Sequence, residues 1–445
     1  MDTLVRNPAG LATVAPVAAT FGWHEGWRYG LMGLPLAFVA LPLYVLLPHY
    51  YALQFGVPLA SLGALLLGAR LFDALTDPLL GRWSDQLFAQ APQHLLAWAA
   101  LAALLLALGF ALLFFPPPLA LPGLLAWAGA CLLLTYAAYS ALSILHQSWG
   151  ARLGGDALQR SRVVAWREGL GLLGVVLASL APYALGMKGT AALFFMALAV
   201  GWWAWRLAPR PAMPVAAVQT HLARSHTPGA LWLPFTRPAF RALLLVFMVN
   251  GIASAVPATL ILFFVQDRLQ APASLQAAFL GAYFLSAALS IPLWLRLVRR
   301  IGLERSWGLG MLLAVAVFVS AAQLGSGDSA AFLLVCALSG VALGTDLALP
   351  AALLAGCIAA CGDAGRAEGA YFGWWNFATK LNLALAAGLA LPTLAWLGYT
   401  PGAQDAAALQ TLGFAYCLLP CGLKLLAATL LYLLLLRKTP CPSAL

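Results

Sequence analysis

Nothing constrains this chain more than its apolar runs of about 20 residues, each long enough to cross the ~30 Å hydrocarbon core of a bilayer as a helix. Twelve are bounded by Pro, Gly or charge: 30–53, 59–83, 94–116, 119–146, 163–186 and 189–207, then 239–267, 271–296, 306–325, 329–360, 367–397 and 406–436. A backbone in lipid must satisfy its own hydrogen bonds, so runs of this length fold as helices. With 63% hydrophobic and 9% charged residues, no water-soluble surface can be built from the chain. The expected fold is an all-α polytopic membrane protein. In a soluble protein the net charge of +10 would point to nucleic acid; here the membrane class accounts for it, and no nucleic-acid partner is expected. No cleavable signal peptide is expected, and the first span should act as the uncleaved insertion signal.

The runs divide into six, a polar Pro- and Arg-containing stretch, and six, which predicts units at residues 1–207 and 239–445 joined by a linker at 208–238. When loops are counted from the N-terminus, the basic residues collect at one face, among them Arg28, Arg82, Arg152, Arg160, Arg162, Arg167, Arg206, Arg237, Arg296, Arg366 and Arg437. Lys188 and Arg268 fall at the other. By the positive-inside rule both termini and the linker are cytoplasmic. Asp77-Pro-Leu-Leu-Gly-Arg82 ends the second span and Ile291-Pro-Leu-Trp-Leu-Arg296 the eighth, a short match where duplicated halves would put one.

Chemistry concentrates in the second span, where Arg70, Asp73 and Asp77 interrupt an apolar run from Val57 to Trp83. Ionisable groups at such depth need a partner or a task. Asp73 and Asp77 are one turn apart and about 40° apart around the helix axis, so their carboxylates share a side, with Arg70 beside them. Two readings fit: a self-neutralised cluster that fixes packing, or a cation site in a transport pathway. Converging carboxylates suit a hard monovalent cation or a shared proton. The seven cysteines have no metal-ligand spacing, and no metal is expected.

The stretch Arg70-Leu-Phe-Asp-Ala-Leu-Thr-Asp-Pro-Leu-Leu-Gly81 with Ser84-Asp85 closely resembles the second-helix signature of the glycoside-pentoside-hexuronide:cation symporters, the melibiose-permease-like branch of the major facilitator superfamily. Arg160-Ser-Arg162 leading to Trp166-Arg-Glu168, and Lys380 before Leu397-Gly-Tyr399, extend the resemblance over most of the chain. It implies twelve transmembrane helices in two six-helix bundles, a monomer in a bacterial inner membrane, and no cofactor beyond a coupling ion, Na⁺ or H⁺. It also implies a secondary transporter and not an enzyme, with a small organic solute and a coupling cation as partners. Asp73 and Asp77 would be the cation ligands, and Lys380 the lysine that faces them across the cavity.

Asp346, in the neighbouring tenth span, offers Lys380 a different partner, and a charge-compensated Asp346–Lys380 network lining the cavity is expected. Lys424 reads as a packing or snorkelling lysine. Further cavity candidates are Arg70, His146, Trp149, Asn250 and Asn376. His146 has two readings, a proton-shuttling or solute-binding group and a hydrogen-bonded structural histidine. Sugar-recognising relatives carry acids in helices one and four; here Gly33-Leu-Pro-Leu-Ala-Phe38 and Tyr139-Ser-Ala-Leu-Ser-Ile-Leu-His-Gln147 carry none, so glycoside recognition is not implied. The loop after Asp85 lacks the family's basic cluster, which predicts weak gating contacts there. Competing readings are a proton-coupled exporter, a lipid or amphiphile transporter and, remotely, an intramembrane prenyltransferase, whose second acid-rich motif is missing.

Overall fold

The computed structural model describes residues 21–211, 230–399, 402 and 405–437. Among these, nine helices are long and apolar enough to cross a membrane. Three more complete the set of twelve: α1, broken into Trp23–Gly30, Gly33–Leu41, the π-turn Pro42–Leu46 and Leu47–Phe55; α2 (Leu59–Gln90), which carries the charges; and α11 (Glu368–Trp396). The others are α3 (Leu95–Phe114), α4 (Leu121–Arg152), α5 (Ala157–Pro182), α6 (Ala184–Arg206), α7 (Pro238–Arg268), α8 (Ala273–Ile301), α9 (Leu303–Ala321), α10 (Ser329–Ala360) and α12 (Ala406–Leu436). Both chain ends and residues 212–229 of the expected linker lie outside the described residues.

Local chemistry sets several ends. Asp156 caps α5 by accepting from the Gln159 amide at 2.7 Å, and Asp405 caps α12 through the Ala408 amide at 2.9 Å. Pro238 starts α7, where its missing N–H costs nothing. At about 48 Å, α2 outruns the hydrocarbon core. Hydropathy ends that span at Trp83; the helix continues to Gln90 because backbone hydrogen bonding does not stop at the first charge. The repeated Pro78 and Pro292 sit inside α2 and α8, each near the Arg-rich end.

One apolar core, from Phe21 to Ala208, holds α1–α6 together around Phe110, Phe194 and Trp205. In the second half one core surrounds Phe264 and Tyr416, and another surrounds Trp307 and Tyr371 and takes in Val164 and Ala165 of α5. The bundles therefore meet along a seam, chiefly α2 on α11 and α5 on α8 and α10. In the Arg-rich half this seam is closed to backbone contact. A Cβ on Gly81 would come within 2.1 Å of the Gly369 carbonyl oxygen, and one on Gly373 within 2.6 Å of that of Asp77, so only glycine permits the approach. After residue 229, Leu231 accepts from the Trp374 indole at 2.9 Å, and Arg237 grips Asp363 through two nitrogens at 2.8 and 2.9 Å. That carboxylate holds the Arg237 guanidinium above its ordinary range.

Candidate functional site

Asp73 and Asp77 do share one side of α2, both buried, facing α11 and α4. The Lys380 ammonium from α11 lies 2.7 Å from each carboxylate and also donates to Ser140 Oγ of α4 at 2.9 Å. Ser140 in turn donates to Asp73 at 2.7 Å. Asp73, Asp77 and Lys380 together carry a formal charge of −1. Because α2 and α4 belong to the first bundle and α11 to the second, Lys380 ties the halves together at the seam.

The expected Asp346–Lys380 network is not formed. α10 and α11 follow one another in the chain but touch little, whereas α11 packs along α2, so Lys380 meets the α2 acids. Asp346 instead pairs with Lys424 at 2.7 Å, and the packing role expected of Lys424 gives way to a buried ion pair. Asn250 joins that pair in the interior of the second bundle, donating to Asp346 at 2.9 Å and accepting from Lys424 at 2.7 Å; it does not line the cavity at the seam.

That cavity, of about 370 Å³, lies between the bundles. Lys380, Ser140, Asn376 and Thr379 form one wall, Arg167 and Glu168 another, and Trp375, stacked on Phe247 at 3.8 Å, gives an aromatic face. Asp346 also borders it. Arg167 donates to Glu168 at 2.9 Å through Nε, so acid and base stand together at the wall. Arg167, which loop counting groups with the basic face, is largely buried, and its sequence signal is an Arg-Glu pair inside an apolar helix. Ser140 was missed outright, since a serine among small apolar residues is an ordinary helix component.

Three other candidates lie elsewhere. His146 is fully buried in the first bundle: its Nε2–H donates to the Tyr29 carbonyl at 2.9 Å, the Tyr29 hydroxyl donates back to the His146 carbonyl at 3.0 Å, and the rings stack at 4.3 Å. The structural reading is the one its surroundings fit. Trp149 is buried against Phe88 and Trp205, with its indole on the Pro209 carbonyl. Arg70 is exposed on α2 and interacts with Tyr136 of α4, which is also electrostatically coupled to Asp73.

The contacts around Asp85 are stronger than its loop composition predicted, because the cation comes from α4. Arg152 lies 2.9 Å from both Asp85 and Glu368, with its guanidinium 3.7 Å from the Phe88 ring centre. Asp85 also accepts from the Gly369 and Ala370 amides at 2.7 and 2.8 Å, at the positive N-terminal end of α11. This clasp and the glycine contacts seal the seam at the Arg-rich face.

Among the solved structures that this arrangement resembles are several transporters. A bacterial homologue of the iron transporter ferroportin in an outward-facing state superposes with a TM-score of 0.65 at 16% identity, over 92% of this chain and 99% of that one. The Escherichia coli fucose:proton symporter gives 0.61 at 15% identity, over 92% and 97%. The proton:xylose symporter gives 0.60 at 13%, over 94% of each chain. At these identities the likeness shows the fold. Among curated proteins, none matches the sequence. A family model described as MFS/sugar transport protein matches residues 28–438, which with the twelve-helix architecture places the chain in that family of the major facilitator superfamily, as a membrane transporter and not an enzyme.

Proposed function

We propose that the protein is a cation-coupled symporter of a small polyhydroxylated solute, with Asp73 and Asp77 as the seat of the driving H⁺ or Na⁺. The observation that carries this reading is Lys380, 2.7 Å from both acids and reaching across from the other bundle. A monovalent cation that joined the two carboxylates would neutralise the cluster and compete with the ammonium, loosening α11 from α2. Binding and release of the seam would then be linked, as coupling requires.

The cavity supports the solute class. Its hydroxyl, amide and ionic groups suit hydroxyl-rich ligands, and the Trp375 face suits the apolar face of a sugar ring. The acids missing from α1 and α4 have a counterpart in Glu168, supplied by α5. With the Arg-rich face cytoplasmic, as the positive-inside rule places it, the sealed seam is the cytoplasmic one, and the solute is taken up from outside. The test is uptake of a panel of sugars into proteoliposomes, driven separately by H⁺ and Na⁺ gradients. Accumulation of a sugar with one of the two gradients is expected; accumulation with neither, across the panel, would contradict the reading.

A further inference from the structure

The second bundle encloses another cavity, of about 320 Å³, among α7, α8, α9, α10 and α12. Its walls are aromatic and aliphatic, with Phe284, Phe318 and Tyr416 prominent, and the Asp346–Lys424 pair is its polar end. α7 and α8 do not pack along one another, and the cavity reaches the gap between them, where Ala258 and Leu280 are exposed. It is thus a side chamber rather than a sealed void.

Hydrogen bonding at the polar end defines what fits. Asp346 is saturated: Asn250 Nδ2 and Trp307 Nε1 each donate to Oδ1 at 2.9 Å, while Ser254 Oγ and Lys424 Nζ donate to Oδ2 at 3.1 and 2.7 Å. Lys424, only 6% exposed, has three N–H groups, and the described residues give its Nζ two acceptors, Asn250 Oδ1 and Asp346 Oδ2, each at 2.7 Å. One N–H is left for the chamber that Lys424 lines. The pair is already neutral, so a charged ligand would bring an uncompensated charge into low dielectric. An uncharged acceptor would complete the ammonium's bonding at no such cost.

We propose that this chamber is a second ligand site, which takes an uncharged lipophilic molecule carrying one hydrogen-bond acceptor, seated with the acceptor on Lys424 and its apolar body among Phe284, Phe318 and Tyr416. The volume is at the lower end of the ~300–1,000 Å³ range of small-molecule sites. The site is independent of which solute crosses the central cavity, although Asp346 borders both spaces.

The experiment uses the full-length protein in nanodiscs with an aliphatic ketone bearing a photoreactive diazirine, labelled residues being read by mass spectrometry. Saturable labelling of residues around Phe284, Phe318 or Tyr416, removed by excess 2-nonanone, is expected. A matched diazirine hydrocarbon without the carbonyl should bind about tenfold more weakly after correction for membrane partitioning, the loss of one hydrogen bond to a charged donor. Ala342→Phe, or Ala314→Phe from another wall, fills the chamber without touching Lys424 and should abolish the labelling. Labelling that does not saturate, that falls on the outward-facing Leu285 and Leu289 instead, that persists in the folded filled variant, or that is as tight for the hydrocarbon would overturn the proposal.

Discussion

Lys380 and Asp77 belong to opposite bundles, yet the ammonium of one lies 2.7 Å from the carboxylate of the other, in the same cluster as Asp73. Lys380→Gln removes the ammonium that pairs with both acids and leaves two buried like charges one turn apart, which favours uptake of a proton or metal cation. The variant should lose stability by about 3–5 kcal/mol where no binding cation is present. Its melting temperature should then depend on Na⁺ or on acid pH more steeply than the wild type's. Thermal scans in Na⁺ and choline at equal ionic strength, and across pH, check this; equal cation dependence in both proteins would count against it.

Asp346 and Lys424 form a pair of their own. Asp346→Asn or Lys424→Met strands a charge inside the second bundle and should cost about 3–5 kcal/mol, whereas the double variant should cost less than the sum of the two. A double-mutant cycle on the detergent-solubilised protein measures the coupling. The same cycle run on Asp346 and Lys380 should give additive effects, because those two side chains are not partners.

Arg152 holds Asp85 and Glu368 together at the Arg-rich face. Arg152→Gln leaves two carboxyl groups facing each other, and the seam there should open. Ser84 is fully buried beside the clasp. In a chain otherwise freed of cysteine, Ser84→Cys should resist a thiol reagent with Arg152 present and react at least about tenfold faster with Arg152→Gln, a shift of about 1.4 kcal/mol in the opening equilibrium. Equal protection in both backgrounds would show that the clasp does not hold the seam.

Gly81 tests the same closure sterically. Gly81→Val would put its side chain into the Gly369 carbonyl. Spin labels at Gln90 and Cys361, on opposite bundles near the Arg-rich face, should report a longer distance in the variant. An unchanged distance distribution would show that the Gly81 contact does not hold α2 against α11.

The helices were legible because lipid leaves a long apolar run one way to satisfy its backbone. The shared side of Asp73 and Asp77 was legible for a similar reason, since helical spacing alone fixes it. The partner of Lys380 was not: it depends on α11 packing against α2 across the seam, and adjacency in the chain pointed to Asp346. Asn250 and His146 misled in another way. A polar residue in a membrane span must face protein, but which protein interior it faces, a bundle core or the seam between bundles, is decided by packing that hydropathy does not encode. Arg167 was hidden by its neighbours, Arg160 and Arg162, which mark a helix end and make it look like surface charge.

The proposed symport rests on Asp73 and Asp77 coupling a cation to the solute. Asp77→Asn keeps the shape of the side chain and removes one of the two charges. For a sugar that the wild type accumulates, the folded variant in proteoliposomes should still exchange it in counterflow but should fail to concentrate it under a cation gradient. The cation should also no longer shift sugar affinity, a coupling of about 1–3 kcal/mol in typical linked sites. Gradient-driven accumulation measured beside counterflow, on equal amounts of folded Asp77→Asn and Asp73→Asn protein, is the most direct test. Counterflow without accumulation is the predicted result; accumulation at wild-type levels in both variants would contradict the coupling role.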